Sequence, residues 1–556
     1  MADGEVSVII GGKAGEGISS AGQVTAQLLS YLGYRVHMYL DYPSLIKGGH
    51  NYCVVRGTTG YVGAIRDKAD CLVALDKNSI DRHARSLLPG GALIYNADTV
   101  RSGMGNNGTA VHVSAILSAE TAPEVMANSA MIGAFAKVAG IVWHDVEEVF
   151  RKALMKAADL NLRVAGRAYR EASNQLSVPR LNQPVLPVVT GNEAIALGLI
   201  EGGLEVYYGY PMSPMSSLLH FLAKTSRDFH VRTVQPESEI AVVLMALGSA
   251  YAGTKAAVGT SGGGFCLMTE GISLAGIAEI PVVIVLGQRT GPSTGLATYT
   301  AQSDLHFALN AGQGDVPKCI LAPGDAGEAR ELSALAMDIA WAYQIPVIVL
   351  SDKLISEGMF SIGPEPKIPA LRSLVGNEEP EGPYLRYRIT GSGISPLRFP
   401  PLAGGIVRVN SHVHSEDGIT TEEPEMTQAM ADKRQKKMEV LSREIEDLSP
   451  VAVGGDPDAI TGLLAWGSNK WVCNEAGEQL GLRVVRPKII WPFPAREFAS
   501  AMKGVTELYA VETNETAQFA RYASLFGYRT KGNVLKYDGR PFTVEELVRE
   551  LEKAIS

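Results

Sequence analysis

The chain has 556 residues, and at about 150 residues per domain that length excludes a single compact core. Hydrophobic residues make up 46% and charged residues 20%, ordinary usage that excludes disorder and fibrous repeats for the bulk of the chain. The net charge of −9, from 50 Lys and Arg against 59 Asp and Glu, leaves no broad basic surface for nucleic-acid phosphates.

The N-terminal segment VSVIIGG reads as a strand, followed by a glycine-rich turn and an amphipathic helix, SSAGQVTAQLLSYLGY. Backbone amides around Gly12, Gly15 and Gly17 are one candidate anion cradle. Glycines that merely permit a tight turn are the other reading, and neither a P-loop lysine nor G-x-G-x-x-G spacing is present. Gly48 and Gly49, after Lys47, fit a simple loop equally well. Short apolar runs at Cys71 to Leu75 and Ala92 to Tyr95, then a helical pattern from Ala122 to Val138, continue an α/β style to about Leu181. NQPVLPVVTGN reads as an extended crossing segment.

From Gly191 strands and helices alternate: GLEVYYGYP, SEIAVVLMALGSAYAG, KAAVGTSGGG, a helix to Glu279, PVVIVLGQR, CILAPGD, a helix from Ala326 to Tyr343, and PVIVLSD. Apolar β-branched runs bounded by Gly and Pro predict parallel strands covered on both faces, a doubly wound sheet. Between about Phe360 and Ser449 the periodicity fails, and the run DKRQKKMEVLSREIED predicts a solvated charged helix. From about Ile460, TGLLAWGS and ELYAVET predict a smaller α/β unit.

Ligands of open α/β sheets gather at the carboxyl ends of strands, which singles out GYPMSPMSS and its Ser213. Capping of the next helix by Ser213 or Ser216 explains the same residues. Glu237 and Glu239 open a helix in which Ile240, Val243, Leu244 and Leu247 predict burial, bringing at least one carboxyl toward the core. First-turn capping is the competing role. Thr260 to Gly264 ends a strand in a turn that permits close ligand approach. Arg289, after the apolar strand, has the fork geometry for a carboxylate, or else lies on the surface. His412 and His414 share a strand face, without neighbouring carboxylates or cysteines to complete a metal site. Cys53, Cys71, Cys266, Cys319 and Cys473 form no C-x-x-C pair, so no cluster is expected on this chain. No leader-like segment or run of about 20 apolar residues appears, and the expectation is a cytoplasmic protein.

Taken together, GGKAGEGISSAGQ, YPSLIKGGHNYCVVR, GYPMSPMSS, QPESEIAVV, GTSGGGFCLMTEGISLAGIAEIPVVIV, QRTGPSTGLATYTAQSDL and LSD resemble the α subunit of 2-oxoacid:ferredoxin oxidoreductases with a γ domain fused at the N-terminus. The 2-oxoglutarate branch is the nearest likeness, and the QR-x-G-PSTG block with Gln302 and Asp304 is the most specific element. The resemblance implies a γ-like domain at 1–181, a pyrimidine-binding domain at 182–359, a crossover at 360–449 and a transketolase-C-terminal-like α/β domain at 450–556.

It also implies roles. Glu239 matches the glutamate that hydrogen-bonds the aminopyrimidine of thiamine diphosphate, with Glu237 as second choice. Such a contact favours the imino form, whose nitrogen can take the thiazolium proton. Ser213 replaces a substrate-contacting threonine, keeping the hydroxyl and dropping the methyl. Arg289 matches the arginine proposed to hold the 2-oxoacid carboxylate. Pro211, Thr260, Ser261 and Gly262 are expected at the cofactor. The family often has His-Gly-Glu where this chain reads Gln313, Gly314 and Asp315. No Gly-Asp-Gly with its Asn segment appears, so Mg2+, the diphosphate and a [4Fe-4S] cluster are expected on a β subunit, in an (αβ)2 assembly with coenzyme A and ferredoxin. Pyruvate, or a branched or aromatic 2-oxoacid, is the alternative substrate. A noncatalytic ligand-binding or scaffold subunit is the alternative of another class.

Overall fold

The computed structural model describes residues 4–43, 49–100, 108–363, 383–402 and 405–556. Lys47 and Gly48 therefore lie outside the described residues. The chain divides into two units: Met1–Thr190 with Glu357–Pro364 and Phe542–Arg549, and the remainder.

In the first unit the opening apolar run forms the strand Glu5–Lys13, followed by the helix Ile18–Tyr31. The strand is the middle of a mixed sheet, parallel to Ala69–Ala74 and antiparallel to His50–Thr58. Eight strands complete that sheet, including the short Val188–Thr190 and Met359–Ser361. Val8, Ile10, Phe135 and Phe150 lie in its core, each nearly or wholly inaccessible.

The second unit contains a seven-stranded sheet whose inner members, Val206–Gly209, Ala256–Thr260, Val282–Gln288 and Pro346–Asp352, are parallel neighbours. Every residue from Val282 to Leu286 is buried. Such continuous burial, without in-out alternation, follows from helices covering both faces. Cys319–Leu321 and Arg232–Val234 extend the sheet in parallel. The register sets Gly209 beside Gly259, Thr260 beside Leu286 and Gln288 beside Asp352, so the strands end together.

Strands between Val451 and Leu535 build a separate five-stranded sheet, but Trp466, Phe498, Phe519 and Tyr522 share one core with Ile284 and Leu286. Ile489–Trp491 joins the seven-stranded sheet as its antiparallel edge. Chain order and packing thus part company here.

The charged run does form a helix, Pro424–Ile445, but not a solvated one. Lys433 and Lys437 are buried along with Met430, Leu441 and Ile445. Lys433 Nζ donates to Glu279 Oε1 at 2.6 Å, and Lys437 Nζ donates to Glu279 Oε2. Glu279 is the left-handed C-cap of the helix Gly262–Ala278. Although burial pushes its pKa up, Lys437, Lys433 and Arg386 hold the carboxyl well below the usual range. A run read as a solvent face therefore carries a buried ionic clamp.

Candidate functional site

The carboxyl ends of the parallel strands gather most of the singled-out residues. Glu239 is the first residue of the helix Glu239–Tyr251 and is 3% exposed, whereas Glu237 is exposed. Capping falls to Ser238, whose hydroxyl accepts from Ala241 N at 3.5 Å. The Glu239 carboxyl is left free of that task, and its Oε1 is buried without a hydrogen-bond partner. It lies against Gly264, where an added Cβ would collide with Thr260 Oγ1 and the Glu239 carboxyl. Glycine at 264 is thus required by close approach rather than by backbone dihedrals.

Thr260 ends its strand fully buried, and Ser261 is the N-cap of Gly262–Ala278 with no side-chain cap bond. Ser261 Oγ is also buried and unpartnered. Two buried polar atoms without partners carry a desolvation cost of about 1–3 kcal/mol each. A bound polar ring edge would relieve it. These residues therefore fit the aminopyrimidine end of thiamine diphosphate.

The loop from Tyr210 to Met215 is pinned from two sides. Arg289 Nη1 donates to the Ser213 carbonyl at 2.8 Å, and Asn192 Nδ2 donates to the Pro214 carbonyl at 2.8 Å. The helix that follows, Ser216–Lys224, has Met215 as N-cap and no side-chain cap bond, so neither serine is spent on capping. Pro211 is exposed and Ser213 is partly buried. Arg289 is partly buried too: its Nε has no partner, and burial lowers its pKa while Asp304 acts the other way.

Two acids at these strand ends had no assigned part. Asp304 is pushed up to about 6 by burial, opposed by Arg289. Asp352, 1% exposed, is likewise pushed up to about 6 by burial, against hydrogen bonds from Ser468 and the Ile355 amide. Asp304 was legible as part of the QR-x-G-PSTG block, and Asp352 as the end of LSD. Ser468, 116 residues from Asp352, carried no local signal.

Elsewhere the candidate sites thin out. In the first turn, Lys13 N donates to Glu16 Oε2 at 2.6 Å, Ala14 N to the Gly49 carbonyl and Glu16 N to the Lys13 carbonyl. The cradle amides of Lys13, Ala14 and Glu16 are thus already engaged by the chain itself. His414 is buried, its ring tilted by 31° against that of Tyr387 with centroids 3.7 Å apart, and its Nδ1 faces the His412 carbonyl at 2.8 Å. Gln313, Gly314 and Asp315 are exposed, Asp315 and Gly314 lining a cavity of about 620 Å³ with Arg434 and Trp491. The five cysteines are free, four of them buried. Among the described residues, no group of three or more His, Cys, Asp or Glu is placed to hold a metal, and no helix is long and apolar enough to cross a membrane.

The helix carrying Glu239 corrects one expectation. Val243 and Leu247 are buried, but Ile240 is 46% and Leu244 44% exposed. Met245 and Leu267 are exposed as well, so both helices that bear Glu239 and Gly264 carry exposed apolar side chains.

Comparison with known proteins fits this geometry. Residues 197–433 match the family described as pyruvate flavodoxin/ferredoxin oxidoreductase, thiamine diphosphate binding, and residues 7–171 match pyruvate ferredoxin/flavodoxin oxidoreductase. The α subunit of 2-oxoacid:ferredoxin oxidoreductase 2 from Aeropyrum pernix is 31% identical, over 99% of this chain and 98% of that one. The 2-oxoglutarate oxidoreductase subunit KorA of Mycobacterium tuberculosis is 32% identical over 66% of this chain and 57% of its own. The solved 2-oxoglutarate:ferredoxin oxidoreductase from Magnetococcus marinus, with 2-oxoglutarate, coenzyme A and succinyl-CoA bound, superimposes with a TM-score of 0.89 at 26% identity, over the full length of both chains. On the full-length match and the thiamine-binding fold, the chain belongs to the α subunits of the 2-oxoacid:ferredoxin oxidoreductases.

Proposed function

We propose that this chain, with a β subunit, oxidatively decarboxylates 2-oxoglutarate with coenzyme A to succinyl-CoA, CO2 and reduced ferredoxin, or runs the reverse. The carrying observation is the buried, unpartnered Glu239 Oε1 against Gly264 and Thr260. Thiamine diphosphate, when bound, supplies the carbon nucleophile and electron sink for cleaving the carboxyl group.

The chain's own residues do the rest. Glu239 hydrogen-bonds the aminopyrimidine ring nitrogen and biases its tautomer. Thr260, Ser261, Gly262 and Pro211 bound the cofactor's pyrimidine end. Ser213 contacts substrate, and Arg289, held by the Ser213 carbonyl, receives the 2-oxoacid carboxylate. The choice of 2-oxoglutarate over pyruvate or a branched or aromatic 2-oxoacid is favoured by the Mycobacterium tuberculosis and Magnetococcus marinus relatives.

Half a pocket is on this polypeptide. Mg2+, the diphosphate contacts and a [4Fe-4S] cluster are assigned to the β subunit, ferredoxin docks on that subunit, and two αβ pairs associate in the cytoplasm. The exposed Ile240, Leu244, Met245 and Leu267, on the helices that bear Glu239 and Gly264, offer the β subunit apolar contacts. For coenzyme A, the N-terminal γ-like unit is the candidate that the family resemblance offers.

The test is the copurified αβ complex assayed against a panel of 2-oxoacids with a low-potential electron acceptor. Acceptor reduction should require coenzyme A and be fastest with 2-oxoglutarate, and the lone chain should be inactive. Turnover by the lone chain, or equal rates with Glu239→Gln in the complex, overturns the proposal.

A further inference from the structure

Residues 311–318 join the helix Leu305–Asn310 to the amino end of the strand Cys319–Leu321. The parallel neighbours of that strand carry Thr260 and Arg289 at their carboxyl ends, the opposite edge of the sheet. This loop has a fixed shape. Gln313 N donates to Ser273 Oγ at 2.7 Å, and Val316 lies so close to the helix Gly262–Ala278 that a Cβ on Gly276 would stand 2.8 Å from its Cγ1. With the crossover helix Pro424–Ile445 and Trp491, the loop lines the cavity of about 620 Å³. That volume falls within the range of small-molecule sites, about 300–1,000 Å³.

Two cations without a counterion line this cavity. Lys318 is 6% exposed, and its Nζ donates to the Ala311 carbonyl at 2.6 Å, which uses one of three protons. Among the described residues, neither Lys318 nor Arg434 forms an ion pair, and the Arg434 guanidinium makes no hydrogen bond. A buried ammonium is unfavourable until an anion meets it. The buried lysines of the crossover helix, Lys433 and Lys437, have theirs in Glu279. Lys318 has none, and burial lowers its pKa to about 8. Asp315 is the acid among the lining residues, and it is exposed. Leu309, Val316, Met438 and Trp491 supply apolar wall.

We propose that this cavity binds a small organic anion, whose carboxylate or phosphate meets Lys318 and Arg434 and whose apolar body lies against Trp491 and Met438. The anion supplies the countercharge that Lys318 lacks, and the guanidinium adds a second charge-assisted contact. The apolar walls offer area that an inorganic ion cannot use. None of the lining residues belongs to the thiamine or 2-oxoacid site, so the proposal does not depend on that reading.

The experiment titrates phenyl phosphate and phenylacetate into the copurified αβ complex and into the lone chain by calorimetry, with benzyl alcohol as the uncharged control. At least one anion should saturate with a dissociation constant below about 1 mM, and benzyl alcohol should bind at least about tenfold more weakly. Which anion binds tighter tells phosphate from carboxylate. Arg434→Gln gives up no hydrogen bond of the fold and should weaken the preferred anion about tenfold, the scale of one charge-assisted hydrogen bond. Lys318→Met should weaken it at least as much, and Asp315→Asn should tighten it. The proposal is overturned if neither anion saturates, if benzyl alcohol binds as well, or if either Arg434→Gln or Lys318→Met keeps the parent affinity. Binding by the lone chain that disappears in the complex overturns it too, because the cavity would then belong to a subunit interface.

Discussion

Asn469 Nδ2 donates to Gln302 Oε1 at 2.7 Å, joining the loop after Arg289 to the turn that follows Thr461–Leu464. Gln302 is completely buried, and every polar group it has is used. Its Nε2 donates to the Trp466 carbonyl at 2.8 Å, its Oε1 accepts from Thr513 N at 3.0 Å, and its backbone pairs with Thr513 and Asn514. Gln302→Ala leaves the Trp466 carbonyl and the Thr513 amide buried without these partners. The expected loss is about 2–4 kcal/mol in denaturant unfolding, with a raised KM as the Arg289 loop slackens. A loss under about 0.5 kcal/mol would show that the latch does not hold the loop.

Glu239→Gln keeps the shape of a side chain that makes no capping bond. The thermal midpoint of the chain should stay within a degree or two. In the αβ complex turnover should fall by at least about 100-fold, the scale of a lost acid–base group. A scaffold subunit would retain full turnover.

The exposure of Ile240 and Leu244 separates assembly from folding. Replacing both by Glu costs little in the isolated chain, since surface changes of this kind usually lie within about 0.5 kcal/mol. Copurification of the β subunit should be abolished, because unpaired charges would be buried at an interface core. Undiminished recovery of the complex would move the β subunit to another face.

Asp352 gives the stability a definite pH dependence. Its folded pKa, about 6, lies above the ordinary 3.8, so the folded chain holds a proton that the unfolded chain releases between those values. This group therefore removes stability as pH rises through that window, up to about 3 kcal/mol, and is flat above about pH 7. Asp352→Asn should reduce the fall in unfolding free energy between pH 4 and 7. An unchanged curve would show that the carboxyl ionises normally inside the fold.

Much of the second unit was legible because parallel strands covered on both faces must be apolar throughout. PVVIVL and PVIVL announce themselves, and the helix Ala326–Tyr343 begins and ends where its pattern does. Glu239 stood out because a carboxyl precedes an apolar helix. Periodicity could not tell which apolar residues face the core: Val243 and Ile240 look alike in sequence but differ in exposure. Long-range partners were also invisible, since nothing local marks Gln302 and Asn469, 167 positions apart, as a pair. Lys433 and Lys437 were misread for a physical reason, because lysines are seldom fully buried unless paired and their partner lies more than 150 residues away.

That partner, Glu279, is the last test. It sits at the end of the helix whose beginning carries Ser261 and Gly262, and its two oxygens each take one lysine. Arg386 adds a third cation, donating to the Glu279 carbonyl at 2.6 Å and to Gln344 Oε1 at 2.9 Å. Glu279→Gln removes the anion and leaves two ammonium groups in a dry site, a change worth about 3–5 kcal/mol. Because burial penalises ammonium groups left without an anion, Glu279→Gln combined with Lys437→Met should recover a large part of that loss. Denaturant unfolding of the single and double variants measures both. If the double variant is no more stable than Glu279→Gln alone, the cluster is not held by charge pairing, and the crossover helix owes its place to Met430, Leu441 and Ile445 instead.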